Sequence, residues 1–346
     1  MMQLKEAPRP ILTPSGRIIP KVKIYHPEYP NNYSAMLQFD ALDNDGVDYD
    51  LVYYACGILV GNNWPHNDED RQRDPKAHYY LSSSTTPSTG LVQLPTGGIL
   101  PKGTYYLHVP NSPQKPYPVT PGFSHWVFPH DKLPRPWRSL RIPAMSDEMV
   151  KNLPKQSCER TIIRDGCCRI THFHCGTEPI HIVPSVMAAW FIANGMEKYC
   201  FDQYTVPVID DISNTILLRL DVHSVLDRKE LILVPKLNDT KYELVTHVLS
   251  SQHHYATELE TLYHNRTILS LCHVAPAFLF ARFAWSIFNE ATFKLFETQS
   301  AEFSVSIRES TEADEPVKIV KKTISSVSDI PPFPMASDKE AFLIPW

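Results

Sequence analysis

Alternation of apolar and polar residues predicts that the first third of the chain is rich in β-strands. The stretches RIIPKVKIYH (17–26) and YDLVYYACGILVG (49–61) mix β-branched and aromatic residues with partial alternation, and both are predicted strands. Between them, DALDNDGVD (40–48) is rich in Asp, Asn and Gly and predicts a turn. The stretch GTYYLHV (103–109) predicts a further strand, whereas the polar stretch 62–90 predicts a loop.

Proline dominates the segment that follows. The chain has 31 prolines against 12 glycines, and many of the prolines fall within 101–145 among aromatic residues. Proline lacks an N–H group and fixes φ, so long helices are excluded here. We therefore predict ordered irregular chain with short strands, and a β-rich N-terminal region that ends at residue 145.

After residue 145 the apolar residues recur at helical spacing. Ser146 can cap a short helix, and 186–199, 253–269 and 276–297 are predicted helices, with ELILVP (230–235) as a strand. The sequence therefore predicts an α+β protein, with a second region over 146–298. Residues 299–346, which begin rich in Ser, Glu and Lys, are predicted to form a mostly loose tail that ends in the apolar FLIPW.

The composition is that of a folded protein without a large excess of basic residues. The 346 residues are 43% hydrophobic, enough for a sizeable core, and 33 basic against 38 acidic residues give a net charge of −5. No overall basic character of a DNA-binding protein is present. The seven cysteines include no C-x-x-C pair, and no apolar leader precedes the first predicted strand, so we expect reduced thiols and a cytoplasmic protein. The longest apolar run, 274–288, is too short to span a membrane and contains Arg282, so it predicts a core helix.

Three polar residues have a spacing that suggests chemistry. His181, Asn214 and His223 follow one another along the chain, and Asp227 lies four residues after His223, so a helix would put the last two on one face. In such a site His181 would be the general base, on a strand or its turn, and Asn214 would orient its imidazole from the connecting loop. His223 and Asp227 would hold one divalent cation.

The neighbouring residues carry a resemblance to a known family. The segment 164–236 contains CRIT, HIVP, LLRLDVH and VPK, and it resembles the HNH-type (ββα-metal) domain of a large group of fungal proteins. YPVTPGFSHWVFPHDKLPRPW (117–137) and FLFARFAWSIF (278–288) look like flanking parts of the same group, so the resemblance covers about residues 20–295. It implies a β-rich region packed on a ββα unit with C-terminal helices, and the triplet His181, Asn214 and His223 as its site.

The sequence departs from a well-formed HNH nuclease in its ligands and its charge. Ile180 stands where such nucleases often have an acidic or histidine ligand, and Glu178 would replace it only in a distorted turn. The segment 164–243 carries 8 basic and 11 acidic residues, a net charge of −3, which is unfavourable for phosphate binding. Cys168, His172, His174 and Cys175 have irregular spacing for a zinc site, so core thiols and surface histidines are the preferred interpretation.

Two functions are therefore predicted, and the first is small-molecule chemistry. The resemblance allows for members recruited to natural-product biosynthesis, such as a norbornene-forming Diels–Alderase of sordaricin-type diterpene pathways. Such a cyclase would bind an apolar, terpenoid or polyketide-like substrate without a cofactor, and its His–Asn–His triplet would be structural. Large aromatic residues of the N-terminal region would form either a core or an apolar pocket between the two regions; they are Trp64, Tyr105, Tyr106, Tyr117, Phe123, Trp126, Phe128 and Trp137.

The alternative function is a metal-dependent HNH endonuclease. It would hydrolyse DNA phosphodiesters with His181 as general base and with Mg, Mn, Ni or Zn held by His223 and Asp227, and it would act in the nucleus. The sequence leaves the substrate, the residues that line a pocket and the oligomeric state open.

Overall fold

The computed structural model describes residues 11–14, 17–29, 33–110, 112–154, 156–202, 205, 207–250, 253–298, 301–309 and 318–331. Its strands are β1 (Lys21–Tyr25), β2 (Leu37–Asp40), β3 (Gly46–Asp48), β4 (Tyr80–Ser82), β5 (Ile99–Pro101), β6 (Gly103–His108), β7 (Thr177–His181), β8 (Thr215–Arg219), β9 (Leu231–Asn238), β10 (Lys241–Val248), β11 (Phe303–Glu309) and β12 (Lys318–Ile324). Its helices are α1 (Tyr49–Leu59), α2 (Asp68–Arg73), α3 (Arg135–Arg138), α4 (Asp147–Lys151), α5 (Ser157–Asp165), α6 (Ala188–Ala193), α7 (Leu220–Asp227), α8 (Ala256–Tyr263) and α9 (Pro276–Ile287).

Small sheets and mostly short helices make this an α+β protein, as predicted. One sheet has four strands in the order β2-β1-β6-β4, in which β1 and β6 are parallel and the other pairs are antiparallel. The remaining strands form antiparallel pairs: β3 with β5, β7 with β8, β9 with β10, and β11 with β12. The predicted strands at β1 and β6 are confirmed, and so is the turn that Asp43 and Gly46 close between β2 and β3.

The prediction of a strand over 49–61 is wrong, because α1 occupies that segment. The Asp48 side chain caps the helix by accepting a hydrogen bond from the backbone N–H of Leu51. Every residue of α1 is buried, so its sequence has no polar face from which a helical period can be recognised. Residues 62–90 also contain more structure than the predicted loop, since α2 and β4 lie within them.

The second half of the chain follows its predictions more closely. Ser146 caps α4, and α6, α8 and α9 lie within the three predicted helical segments. β7 pairs with β8, which leads directly into α7, so the chain here has the order strand, strand, helix. Within α9 every residue except the first is buried, including Arg282, so the predicted core helix is confirmed.

The predicted loose tail is wrong for the residues that the structure describes. β11 pairs with β12 in antiparallel register, and Phe303, Val305 and Ile307 of β11 are buried in the core. Alternation of apolar and polar residues in FSVSIRE is the strand signal that the Ser, Glu and Lys content of the segment obscured. The FLIPW end lies outside the described residues.

One hydrophobic cluster runs through both predicted regions. It includes Trp126 and Trp137 from the proline-rich segment and Trp190, Phe280 and other residues from the second half. Six of the eight N-terminal aromatics are buried, which agrees with their interpretation as core residues; they are Trp64, Tyr117, Phe123, Trp126, Phe128 and Trp137. The domain boundary at residue 145 stays a prediction. No helix among the described residues is both long and apolar enough to cross a membrane.

Candidate functional site

The His–Asn–His triplet is carried by β7, β8 and α7. His181 is the last residue of β7 and pairs with Thr215, the first residue of β8. Asn214 immediately precedes β8, at the end of a 3₁₀ turn, and His223 lies in α7. The predicted placements of the three residues on a strand, a connecting segment and a helix therefore agree with the structure. We call Glu178, His181, Asp210, Asn214, His223, Asp227 and Arg282 the histidine cluster.

Asn214 is fully buried and makes all its side-chain hydrogen bonds with the backbone. Its Oδ1 accepts from the N–H of Val183 at 2.8 Å, and its Nδ2 donates to the carbonyls of Val183 at 3.1 Å and Ile209 at 2.8 Å. Asn214 therefore joins the chain after β7 to the chain before β8. This differs from the prediction that it orients the His181 imidazole.

The His181 imidazole is held instead by Asp210, which the sequence analysis did not select. Nε2 of His181 lies 2.8 Å from Oδ1 of Asp210, and both side chains are partly exposed. A carboxylate can only accept, so Nε2 carries the proton in this pair. Asp210 lies four residues before Asn214, in the stretch DDISN, and a search for an acidic partner of His181 could have found it there.

His223 lies between two carboxylates. Its Nδ1 is 2.5 Å from Oε1 of Glu178, and its Nε2 is 2.8 Å from Oδ2 of Asp227. The imidazolium form has two N–H donors, so two carboxylate partners favour that form of the ring. The hydrogen bond to Asp227 raises the pKa of His223, and the bond to Glu178 adds to this against the effect of burial. Glu178, which was expected to reach the site only in a distorted turn, does so from regular β7.

Arg282 of α9 is the remaining member of the histidine cluster and contacts Asp227. Its guanidinium is buried in α9, donates to the carbonyls of Ile182 and Leu226, and lies 3.0 Å from Oδ1 of Asp227. Burial alone would raise the pKa of Asp227, but the hydrogen bond from His223 and the charge of Arg282 lower it to about 2. The position of Arg282 within the apolar run 274–288 is the sequence signal for its contact with Asp227, because a buried charge needs a partner.

This arrangement does not fit the divalent cation that the resemblance implies. A metal ligand must offer a free lone pair, whereas both nitrogens of His223 lie within hydrogen-bond distance of a carboxylate. Glu178 and Asp227 lie on opposite nitrogens of the ring, and Asp227 already neutralises Arg282. Among the described residues, the group whose potential ligand atoms converge lies elsewhere, at Asp43, His247 and His264.

In that second group the oxygens of Asp43 are in use, whereas Nδ1 of His247 is buried and has no hydrogen-bond partner among the described residues. Oδ1 of Asp43 accepts from Lys236, His264 and Asn265, and Oδ2 accepts from Lys236 and the backbone N–H of Asp48. Burial would raise the pKa of Asp43, but the hydrogen bond from His264 and the nearby cationic groups hold it well below its usual range. Since Lys236 supplies the balancing charge, we interpret this group as a polar contact that joins the turn after β2 to β9 and the chain after α8.

The basic residues around the histidine cluster are also largely committed to internal contacts. Of the eight in the segment 164–243, six donate hydrogen bonds within the protein; these are Arg164, Arg169, Arg219, Arg228, Lys229 and Lys236. Lys198 lies over the ring of Tyr199. Phosphate binding by this segment would therefore have to disrupt existing contacts. The possible zinc residues are no better placed, since Cys168 is buried while His172, His174 and Cys175 are exposed.

A cleft of about 620 Å³ lies where the two predicted regions meet. Residues 139–142, the first half of β10 and residues 267–271 form most of its walls, and Arg135 reaches it from α3. Its apolar surface packs against the core and comprises Leu140, Ile142, Leu244, Ile268 and Leu271. This volume is in the range of about 300–1,000 Å³ that is usual for small-molecule sites.

The position of the cleft agrees with the predicted pocket, but its lining does not. None of the eight N-terminal aromatics lines it, and its aromatic residue is Tyr242 of β10, whose ring lies 6.0 Å from the Arg135 guanidinium. Tyr117 and Trp126 line a separate hollow of about 460 Å³ beside β11 and β12. No sequence signal identified the residues of the cleft, because they come from three distant segments without a motif.

Comparisons of the chain with protein-family models, with curated proteins and with solved structures found no match.

Proposed function

We propose that this protein binds an apolar small molecule in the cleft and catalyses its cyclisation, such as an intramolecular Diels–Alder cycloaddition. The observation that carries the proposal is the cleft itself, which combines an apolar surface with a few cationic and hydroxyl side chains. The volume of the cleft is typical of small-molecule sites, and such sites often lie where two parts of a protein meet. The resemblance to a fungal group, which allows for members recruited to natural-product biosynthesis, favours the same assignment.

A cycloaddition matches the chemistry that the cleft offers. In this reaction two π bonds are consumed and two σ bonds form within one molecule, so no proton is transferred and no group leaves. The described lining residues include neither histidine nor cysteine, and this reaction requires no general base and no nucleophile. The apolar surface would hold the diene and the alkene in one folded conformation, which reduces the entropy lost on the way to the transition state.

Donors at the rim of the cleft would contribute electrostatically. A carbonyl conjugated to the alkene gains negative charge in the transition state, and the N–H groups of Arg141 and Lys241 are available on the cleft wall to stabilise it. The histidine cluster has a structural role under this proposal: it connects β7, α7 and α9 through hydrogen bonds and ion pairs.

The test uses 1,7,9-decatrien-3-one, a triene ketone that closes to a fused bicyclic ketone without a catalyst as a racemate. We expect the protein to produce an enantiomeric excess, because a chiral cleft holds one folded conformation. Leu269→Trp, which fills the cleft, should return the product to a racemate, whereas Leu262→Trp on the exposed surface of α8 should not. A racemic product at the uncatalysed rate from folded protein, with this and longer trienes, would contradict the proposal.

The second candidate is a metal-dependent endonuclease, favoured by the strand–strand–helix order that carries His181, Asn214 and His223. In it the His181–Asp210 pair would move a proton from water, and His223 would have to be neutral, with one nitrogen unprotonated, before it could bind a cation. Incubation of plasmid DNA with Mg, Mn, Ni or Zn distinguishes the candidates. Nicking that is lost in His181→Ala would identify a nuclease.

A further inference from the structure

We infer that the ligand of the cleft carries a carboxylate, which Arg141 and Lys241 bind at the rim while the apolar body lies against the leucine and isoleucine side chains. The inference rests on the proposed function, since it names the class of substrate for the same cleft. Two observations carry the inference: the cleft has an excess of positive charge, and two of its cationic side chains have no hydrogen-bond partner among the described residues.

The cleft is locally basic on an acidic protein. Three cationic side chains line it, Arg135, Arg141 and Lys241, against one carboxylate, Glu243. The whole chain has a net charge of −5 and the segment 164–243 a net charge of −3. A cluster of cations that opposes the overall charge attracts anionic ligands and repels cationic ones.

Two of these cations have no use within the described structure. The side chains of Arg141 and Lys241 are exposed and have no hydrogen-bond or ion-pair partner among the described residues. Most basic residues near the histidine cluster, in contrast, are bound to carboxylates or carbonyls. The Arg135 guanidinium lies over the Tyr242 ring, and Glu243 accepts a hydrogen bond from Asn238. Neither Arg135 nor Glu243 therefore occupies the side chains of Arg141 and Lys241.

The chemistry of the cleft favours an anionic ligand with an apolar body. A purely apolar molecule would leave the two cations without a counter-charge, and a nucleotide or sugar would place its polar groups against the apolar surface at a desolvation cost. In an apolar carboxylic acid the carboxylate would pair with the two cations, and the hydrocarbon would cover the leucine and isoleucine side chains. Arg141 can bind a carboxylate with two parallel N–H donors, and Lys241, the first residue of β10, offers a further donor on the cleft wall.

The test measures the binding of abietic acid, a tricyclic diterpene acid, and of its methyl ester, by titration calorimetry with the full chain. We expect the acid to bind about tenfold more tightly than the ester, the effect of one charge-assisted contact at a solvated rim. The double variant Arg141→Gln/Lys241→Gln should bind the acid no better than the ester. Lys102→Gln, a surface lysine outside the cleft, is the matched control. Raising the salt concentration from about 0.05 M to about 0.5 M should weaken binding of the acid alone.

The outcomes separate this inference from the function on which it rests. Equal affinity for acid and ester, both lost in Leu269→Trp, would overturn the carboxylate assignment while the cleft remained a binding site. Retention of tight acid binding by the double variant would also overturn it. Binding of neither compound by folded protein would count against both the carboxylate assignment and the proposed small-molecule function.

Discussion

In the histidine cluster each charged or amide side chain has a partner inside the protein, whereas in the cleft two cationic side chains have none among the described residues. The cluster has the residue types of an active centre, but its side chains are held by partners within the protein. The residues of the cleft form no recognisable sequence motif, yet its apolar surface is uncovered and two of its cationic side chains have no partner among the described residues. The difference shows that residue types alone do not locate function, and that the hydrogen-bonding state of each group must also be considered.

We expect the largest effect from Asn214→Ala, which should lower the stability of the protein. The substitution removes three hydrogen bonds and leaves buried backbone groups of Val183 and Ile209 without partners. We expect a loss of about 2–4 kcal/mol in the free energy of unfolding, measured by urea denaturation. The exposed Asn63→Ala should change it by less than about 0.5 kcal/mol. A catalytic Asn214 without a structural role would show no such loss.

The next effect concerns the pH dependence of the charge on His223. Its pKa is raised in the folded protein by its carboxylate partners, so its stabilising contribution is complete below its unfolded-state pKa of about 6.5 and is lost as pH rises through the folded-state pKa. His223→Gln should therefore cost about 1 kcal/mol at about pH 6, a value limited by the partial exposure of its partners, and less at about pH 9. Urea denaturation at both values measures this.

The exposed His254→Gln is the control for that pH series, and it should show no comparable trend. A cost for His223→Gln that stayed constant or increased with pH would mean that the ring is neutral in the folded protein. It would then be available as a metal ligand, and the contrast between cluster and cleft would weaken.

The smallest expected effect is that of divalent metal on thermal stability. Because His223 would have to lose a proton and Asp227 its contact with Arg282, we expect Mg, Mn, Ni or Zn at about tenfold molar excess to shift the Tm by less than about 1 °C. Scanning calorimetry of the wild type and His223→Gln measures this. A metal-dependent rise in the wild type that His223→Gln lacks would show that the cluster opens to bind a cation.

Sequence reasoning succeeded where the local pattern decides structure. The apolar period and the length of 276–297 predicted α9, and the i, i+4 spacing placed His223 and Asp227 together on α7. It failed where tertiary burial overrides the local pattern. α1 is buried on all sides, so its sequence wrongly predicts a strand, and the Ser and Glu content of the segment obscures the alternation in β11.

The candidate site divides in the same way. The triplet could be selected from spacing and neighbouring residues, but its partners Asp210 and Arg282 lie 29 and 101 residues from His181 and are brought to it only by the fold. The cleft could not be selected at all, since Leu140, Leu244 and Ile268 are unremarkable apolar residues in sequence. Their significance arises only when three segments are packed side by side.

The most direct test compares one substitution in each region by the same measurement, the affinity for abietic acid. Calorimetric titration is carried out on the wild type, His181→Ala and Leu269→Trp, each shown to be folded by its unfolding transition. We expect His181→Ala to bind as the wild type does and Leu269→Trp to lose at least about tenfold in affinity, because filling the cleft excludes the ligand. Loss of binding in His181→Ala with full binding in Leu269→Trp would contradict the account and place the function in the histidine cluster.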